Sequence, residues 1–346
     1  MLALLIMFPA FAGYGDTTLE GYPSWGERDV HIWTNIMRVD PEEFFAEGSA
    51  WNPGCFISSF EETEKTPKLP VYYDYDLNDV ARYHSIDMYD NDWFDHDSSD
   101  GTSFGERVSR FYTESGYIGE NIAVGYGNAF EAVFIGWMCS PGHRANIMNA
   151  DWNELGTGVK VLYYTQDFAS GNVQTDSPIA MGSHTPEYPL ETAEFMADFQ
   201  GFEPDEFDVI VDGERHEMVL TFGESSKGVY TAEIANDGVS DCHQYYFLWS
   251  DGVESGTFPE DGSFMYGTTC DSDIMWVLAQ RPPNDTLETE TPEDEAEQIQ
   301  EQAQQQIDAA DVDVVGCACT TQPINPLRHF GMVLLAGVLG LWRRRD

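Results

Sequence analysis

The 346-residue chain reads as an α+β domain followed by a small β-sandwich, and three observations predict it. Over residues 25–176, stretches with apolar residues at helical spacing are mixed with alternating, strand-like runs. Over residues 190–280 the texture changes to short alternating runs divided by Gly, Asp and Asn turns, the pattern of an immunoglobulin-like sandwich. "SPIAMGSHTPEYP", residues 177–189, separates the two as a linker. With 42% hydrophobic and 14% aromatic residues, the composition is that of folded material.

The elements follow in order. "MLALLIMFPAFA" is an apolar run closing in Ala10-Phe11-Ala12, a small-x-small cleavage pattern, so residues 1–12 read as a signal peptide. "ERDVHIWTNIMRVDPEEFF" places Val30, Trp33, Ile36 and Met37 on one helical stripe. Residues 48–70 read as a loop insertion carrying Cys55. "YDLNDVARYHSIDMYD" is a second helix, with Leu77, Val80, Ala81, His84 and Met88 on its stripe and Asp76 as its cap. "NAFEAVFIGWM" is a third helix, and "LGTGVKVLYYTQDFAS" alternates as a strand hairpin. Residues 281–316 form an acidic, Gln-rich stalk. Residues 317–346 combine Cys317, Cys319, the apolar run "GMVLLAGVLGLW" and Arg343–Arg345, the arrangement of a sorting tail. That run is shorter than the roughly 20 residues of a comfortable span, and the arginines would stay cytoplasmic.

With 16 basic residues against 61 acidic ones, the formal charge is −45. Nucleic acid is excluded as a partner, because it demands clustered cations. Contact with a membrane is expected only through the C-terminal tail. Apart from the tail pair there are four cysteines, Cys55, Cys139, Cys242 and Cys270, which allow three pairings. Cys55–Cys139 and Cys242–Cys270 keep each bond within one domain, and no CxxC spacing favours a metal instead. Export and disulfides fit one oxidising compartment.

"GWMCSPGHRANIM", residues 136–148, sets a histidine beside an arginine in this acidic chain. Ser140 is a preferred cap residue and Pro141 suits the first helical position, which puts His143 in the first turn of a helix. The unpaired amides there favour the neutral imidazole, the form that binds a metal or accepts a proton. Arg144 is expected to pair with a nearby acid. In "DHDSSDGTSFGE", residues 95–106, the glycine falls at position seven, so the calcium-loop pattern is missed. His84 reads as a packed histidine, Trp93 and Phe94 as core, and Asn121 as a brace for its loop.

Three segments belong together: "DNDWFDHDSSDG" with His96, "SGYIGENIAVGYG" with Glu120, and "WMCSPGHRANIM" with His143. With "NIMR", "HSIDM" and "LGTGV" in the same order, residues 29–164 resemble the bacterial CAP (SCP-like) family, related to cysteine-rich secretory proteins, antigen 5 and pathogenesis-related proteins of class 1. The resemblance implies an α-β-α sandwich with a shallow cleft lined by His96, Glu120 and His143. Eukaryotic members carry a second glutamate three residues after the tryptophan, where this chain has Ser140. Two imidazoles and a carboxylate are a ligand set for zinc or another divalent cation with an open position. The function implied is binding of a lipid or a cell-surface or extracellular ligand by an exported, surface-displayed protein. The competing reading is a metal-dependent hydrolase of wall or peptide substrates, with Glu120 and Ser140 as catalytic candidates. The tail "VVGCACTTQP", apolar run and arginines resemble the MYXO-CTERM tag of myxobacterial surface proteins, which implies processing near Cys317 or Cys319.

Overall fold

The computed structural model describes residues 23–47, 49, 54–173, 175, 177–185, 192–235, 243–260 and 262–266, and the backbone of strands at 276–277, 313–314 and 319–324. Residues 1–12, expected to be a signal peptide, Cys242, Cys270, Cys317, most of the expected stalk and the apolar tail run lie outside the described residues.

The first domain begins with α1 (Trp25–Val39), opened by a reciprocal capping box in which Ser24 Oγ accepts from Glu27 N and Glu27 Oε2 accepts from Ser24 N. Asp40 and Pro41 break the expected helix, and α2 (Pro41–Phe45) continues it in a new direction. The loop that follows contains α3 (Glu62–Lys65) and is tied by a Cys55–Cys139 disulfide. After β1 (Tyr72–Tyr73) comes α4 (Tyr75–Asp90). Its cap is Asp74, whose Oδ1 accepts from Leu77 N at 2.8 Å, and Asp76 falls inside the first turn. Next are β2 (Asn91–Trp93), α5 (Phe104–Phe111), β3 (Gly116–Val124) and α6 (Ala129–Glu131). The chain from α6 runs into a π-helical turn, Ala132–Trp137, and then into α7 (Pro141–Ile147). The hairpin β4 (Glu154–Lys160) and β5 (Tyr163–Ala169) forms where alternation predicted it.

The sheet order is β1-β4-β5-β3, with β1 parallel to β4 and the other pairs antiparallel. Alternation along the strands separates two helical layers. Thr157 Oγ1 donates to Glu27 O, and Gln166 hydrogen-bonds Thr34, both on α1. Their neighbours in sequence turn to α4: Ser85 Oγ donates to Gly158 O and also meets Thr165 Oγ1. The glycines of "LGTGV" set this contact. A Cβ on Gly156 would lie 2.0 Å from the Leu77 carbonyl carbon, and one on Gly158 would lie 2.1 Å from Ala81 O. Helix α4 therefore rests directly on the β4 backbone, and the implied helix–sheet–helix layering is present.

Beyond residue 176 lie two further antiparallel sheets. One orders β10 (Val219–Glu224), β11 (Lys227–Ala235), β7 (Thr192–Gln200) and β6 (Gly182–His184). The other orders β15 (Trp276–Val277), β14 (Ser263–Tyr266), β12 (His243–Ser250), β8 (Glu206–Val211) and β9 (Glu214–Glu217), with β13 (Ser255–Phe258) also on β12. Aromatic contacts such as Phe195–Tyr245 and Phe199–Phe207 join them. In the expected linker the described part is structured: Ile179, Ala180 and Met181 are buried and Gly182–His184 is a paired strand.

This strand matters because it docks on α1. Every α1 residue except Trp33 is buried, including Arg28, Asp29, His31, Asn35 and Arg38. The polar side of the helix meets the second unit. Trp25 Nε1 donates to His184 O at 2.8 Å, Asn35 Nδ2 donates to Asp198, and the Arg28 guanidinium stacks 4.2 Å from the Phe264 ring centre. One continuous apolar core runs from Ile36 and Trp137 to Phe195 and Phe264. Farther along the chain, β16 (Asp313–Val314) pairs with β2 and β17 (Cys319–Ile324) pairs with β3.

Candidate functional site

The expected residues converge at β3. Glu120 is fully buried on the α4 side of the strand. His96, in the loop after β2, sets Nδ1 2.6 Å from Glu120 Oε1, and Arg107 of α5 donates to Glu120 Oε2. Arg107 also donates to His96 O at 2.9 Å and to Ser98 Oγ at 3.1 Å, so one guanidinium fixes both the carboxylate and the loop that presents the histidine. His84 is packed, as expected, with Nε2 3.0 Å from Asp95 O. Burial, with help from Arg107, pushes its pKa down to about 3 and keeps it neutral.

Glu120 titrates against expectation for a buried acid. Burial favours its neutral form, but Arg107, then His84 and His96, outweigh burial and hold the carboxyl below its ordinary range. An ionised Glu120 accepts from His96 Nδ1, and in the neutral ring Nε2 is then the lone-pair nitrogen. That atom is buried and has no hydrogen-bond partner among the described residues.

His143 lies in the first turn of α7, as predicted, and is buried. Helix α7 is tied to β3 by two asparagines. Asn121 Nδ2 donates to His143 O at 3.1 Å and to Gln166 Oε1 at 3.0 Å. Asn146 Nδ2 donates to Glu120 O at 3.1 Å and to Asn121 Oδ1 at 3.0 Å. Asn121 is thus the brace it was expected to be, and His143 is seated at the same strand edge as Glu120. Ser140 occupies the cap position, but its side chain makes no capping hydrogen bond. Arg144 pairs with Glu64 at 2.8 Å and lies over Phe60, the structural role expected of it. Trp93 is not core: it is 39% exposed, and its Nε1 donates to Asp97 O.

Three participants escaped sequence reasoning. Arg107 reaches Glu120 across 13 residues, and Asn146 reaches it across 26. Asp167 lies opposite Glu120 in the β3–β5 register, is 1% exposed, and has neither oxygen hydrogen-bonded among the described residues. Burial, then the charge of Glu120, raises its pKa well above the ordinary range. The signal for it was its place in the alternating run "YYTQDFA", where a lone acid shares its face of the sheet with Thr165.

The donor chemistry fits a metal in part. Among the described residues no group of three or more His, Cys, Asp or Glu side chains is arranged to hold an ion. Glu120 has both oxygens committed to His96 and Arg107, whereas His96 Nε2 is uncommitted and backed by a carboxylate on Nδ1. That backing is how proteins orient a metal-binding imidazole.

Comparison with known proteins agrees with these residues. Residues 34–173 match the sequence model of the Cysteine-rich secretory protein family, CAP. Two Bacillus subtilis proteins align with the chain. One is the uncharacterized membrane protein YlbC, 40% identical over 96 residues that are 28% of each chain. The other is the uncharacterized protein YkwD, 37% identical over 97 residues, or 28% of this chain and 37% of that one. The chain therefore spans about a third of the length of these relatives. Among solved structures, an extracellular SCP-domain protein of Bacillus anthracis is 38% identical, with 30% of this chain and 34% of that chain covered and a TM-score of 0.28. An outer surface protein of Borrelia burgdorferi is 20% identical, covering 30% and 78%, with a TM-score of 0.27. The ordered motifs and the layered fold agree with that match, and residues 34–173 are similar to the CAP domain of this family.

Proposed function

We propose that this is an exported, surface-displayed protein whose CAP cleft binds a ligand and does not turn over a substrate. The observation that carries the reading is the state of Glu120. It is buried, ionised against Arg107, and bonded on its other oxygen to His96, so both oxygens already serve fixed partners and the carboxylate is held out of the role of a mobile general base or third metal ligand. The hydrolase reading needs such a group. A divalent cation in this cleft would be held by His96 through Nε2 together with His143, with Glu120 behind His96 and not on the metal. When bound, it would supply an electrophilic contact for a polar headgroup or surface ligand. The lipid or cell-surface ligand follows from the family resemblance. The Cys55–Cys139 bond supports export, because such bonds persist in oxidising compartments. No helix among the described residues is long and apolar enough to cross a membrane. The sorting tail and its processing near Cys317 or Cys319 belong to the same proposal, as does an immunoglobulin-like reading of the second unit.

Calorimetric zinc titration of the full chain tests the cleft. One-site binding at neutral pH is expected to vanish in His96→Ala and in His143→Ala. In Glu120→Gln it should weaken by about 10–100-fold, the scale of losing an outer-shell partner. Equal binding by all four proteins would assign the metal to surface carboxylates and leave only metal-free binding in the cleft.

A further inference from the structure

The edge of β3 that borders the cleft is occupied. In β3, Tyr117 O accepts from Ser170 N at 3.0 Å, so Tyr117 and every second residue after it direct their backbone groups toward β5. Gly116, Ile118, Glu120 and Ile122 therefore direct theirs to the outer edge. Two side chains there confirm the phase: Trp137 Nε1 donates to Ile122 O, and Asn146 Nδ2 donates to Glu120 O, each at 3.1 Å. The rest of the edge would present bare amides and carbonyls next to the site.

Strand β17 meets that remainder. Its antiparallel register sets Thr320 opposite Glu120, Gln322 opposite Ile118 and Ile324 opposite Gly116. Pro323 falls opposite Tyr117, at a position whose nitrogen turns away from β3, the only phase in which an edge strand tolerates proline. The strand also touches both α5, which carries Arg107, and α7, which carries His143. A few residues earlier, β16 pairs in parallel with Asp92 and Trp93 of β2, ahead of the His96 loop.

We propose that the cleft edge of the CAP sheet is a strand-docking site, and that its occupant is the chain's own segment 319–324. The stalk then does not hold the domain away from the apolar run at 331–342. Six residues lie between Ile324 and Gly331, a reach of about 25 Å over the seven steps at full extension, so the cleft is kept beside that run. Removal of the segment frees the outward groups of Gly116, Ile118 and Glu120 for another extended peptide. The site is the one proposed above for ligand binding, but the docking stands apart from any metal.

Hydrogen exchange of the full chain, read by mass spectrometry over residues 116–124, tests this. Gln322 directs its N–H toward Ile118, so Gln322→Pro should remove that bond, whereas Thr321→Pro replaces an outward N–H and should be tolerated. The outer-edge amides of β3 are expected to be protected in the wild type and in Thr321→Pro, and to exchange about tenfold faster in Gln322→Pro. Exchange in β7 and β11 should stay unchanged throughout, which separates undocking from unfolding. Unprotected Ile118 and Glu120 amides in the wild type would overturn the proposal, as would a Gln322→Pro chain as protected as the wild type. Neither result depends on whether zinc binds.

Discussion

Glu120 and Asp198 are both completely buried carboxyl groups, each hydrogen-bonded on both oxygens, and they titrate in opposite directions. Asp198 sits in the seam between α1 and the second unit. Its Oδ1 accepts from Ala180 N and Met181 N, and its Oδ2 accepts from Asn35 Nδ2. Burial still pushes it up to about 7. Glu120 faces the same burial but has a guanidinium at hydrogen-bond distance, and it stays ionised. Neutral amide dipoles satisfy geometry without offsetting the loss of water around a charge; a cation does both. The seam thus has a carboxyl poised near neutrality, and the β3 site has a permanent anion that faces His96 Nδ1.

The sharpest way to break this contrast is to make Glu120 resemble Asp198. Arg107→Met removes the cation and leaves an uncompensated buried carboxylate. The expected loss is about 3–5 kcal/mol at neutral pH, measured by chemical denaturation. Protonation should relieve part of it, so the loss should shrink as pH falls and should be partly recovered in Arg107→Met/Glu120→Gln. A constant loss at every pH would mean that Arg107 acts through packing and its bonds to His96 and Ser98, not through charge.

A smaller effect is expected from loosening the cleft side alone. Cys139 stands directly before α7 and is bonded to Cys55, 84 residues away. Replacing both by Ser releases a long loop and should cost about 2–4 kcal/mol in thermal or chemical unfolding. Residues 55–70 and α7 should lose exchange protection first, and the Asp198 seam last. Uniform loss of protection would show that the two regions unfold as one unit.

Legibility in the sequence followed the same divide. His96, Glu120 and His143 stood out because ordered motifs mark them, and the "LGTGV" glycines did so because only a missing Cβ lets α4 touch β4. Arg107 and Asp167 were silent, since their meaning lies in strand register and in a neighbour far along the chain. Trp93 looked like core by composition, but an indole N–H can also be satisfied at a loop surface, as it is by Asp97. The seam was missed for a different reason. An amphipathic helix predicts one polar face, and nothing in α1 says that Trp25, Arg28 and Asn35 meet partners in a second unit in place of water. For that reason residues 177–189 read as a linker, although Gly182–His184 within them is a strand packed on the helix.

The seam has its own test, the smallest in size. The unfolded Asp198 ionises near 3.8, and in the folded protein it holds its proton up to about 7. Between those values the folded state binds more protons than the unfolded one, so this group's contribution to stability is complete below pH 4 and is lost as pH rises to about 7. Asp198→Asn has no proton to release. The stability of the wild type relative to Asp198→Asn should therefore fall by about 2 kcal/mol between pH 5.5 and 7.5 and stay level above that. The amide cannot reproduce every acceptor contact to Asn35, so the two curves should be offset, and the reading lies in their difference in slope. Parallel curves would show that Asp198 is ionised across the range, and that three neutral donors can do for a buried carboxylate what Arg107 does for Glu120.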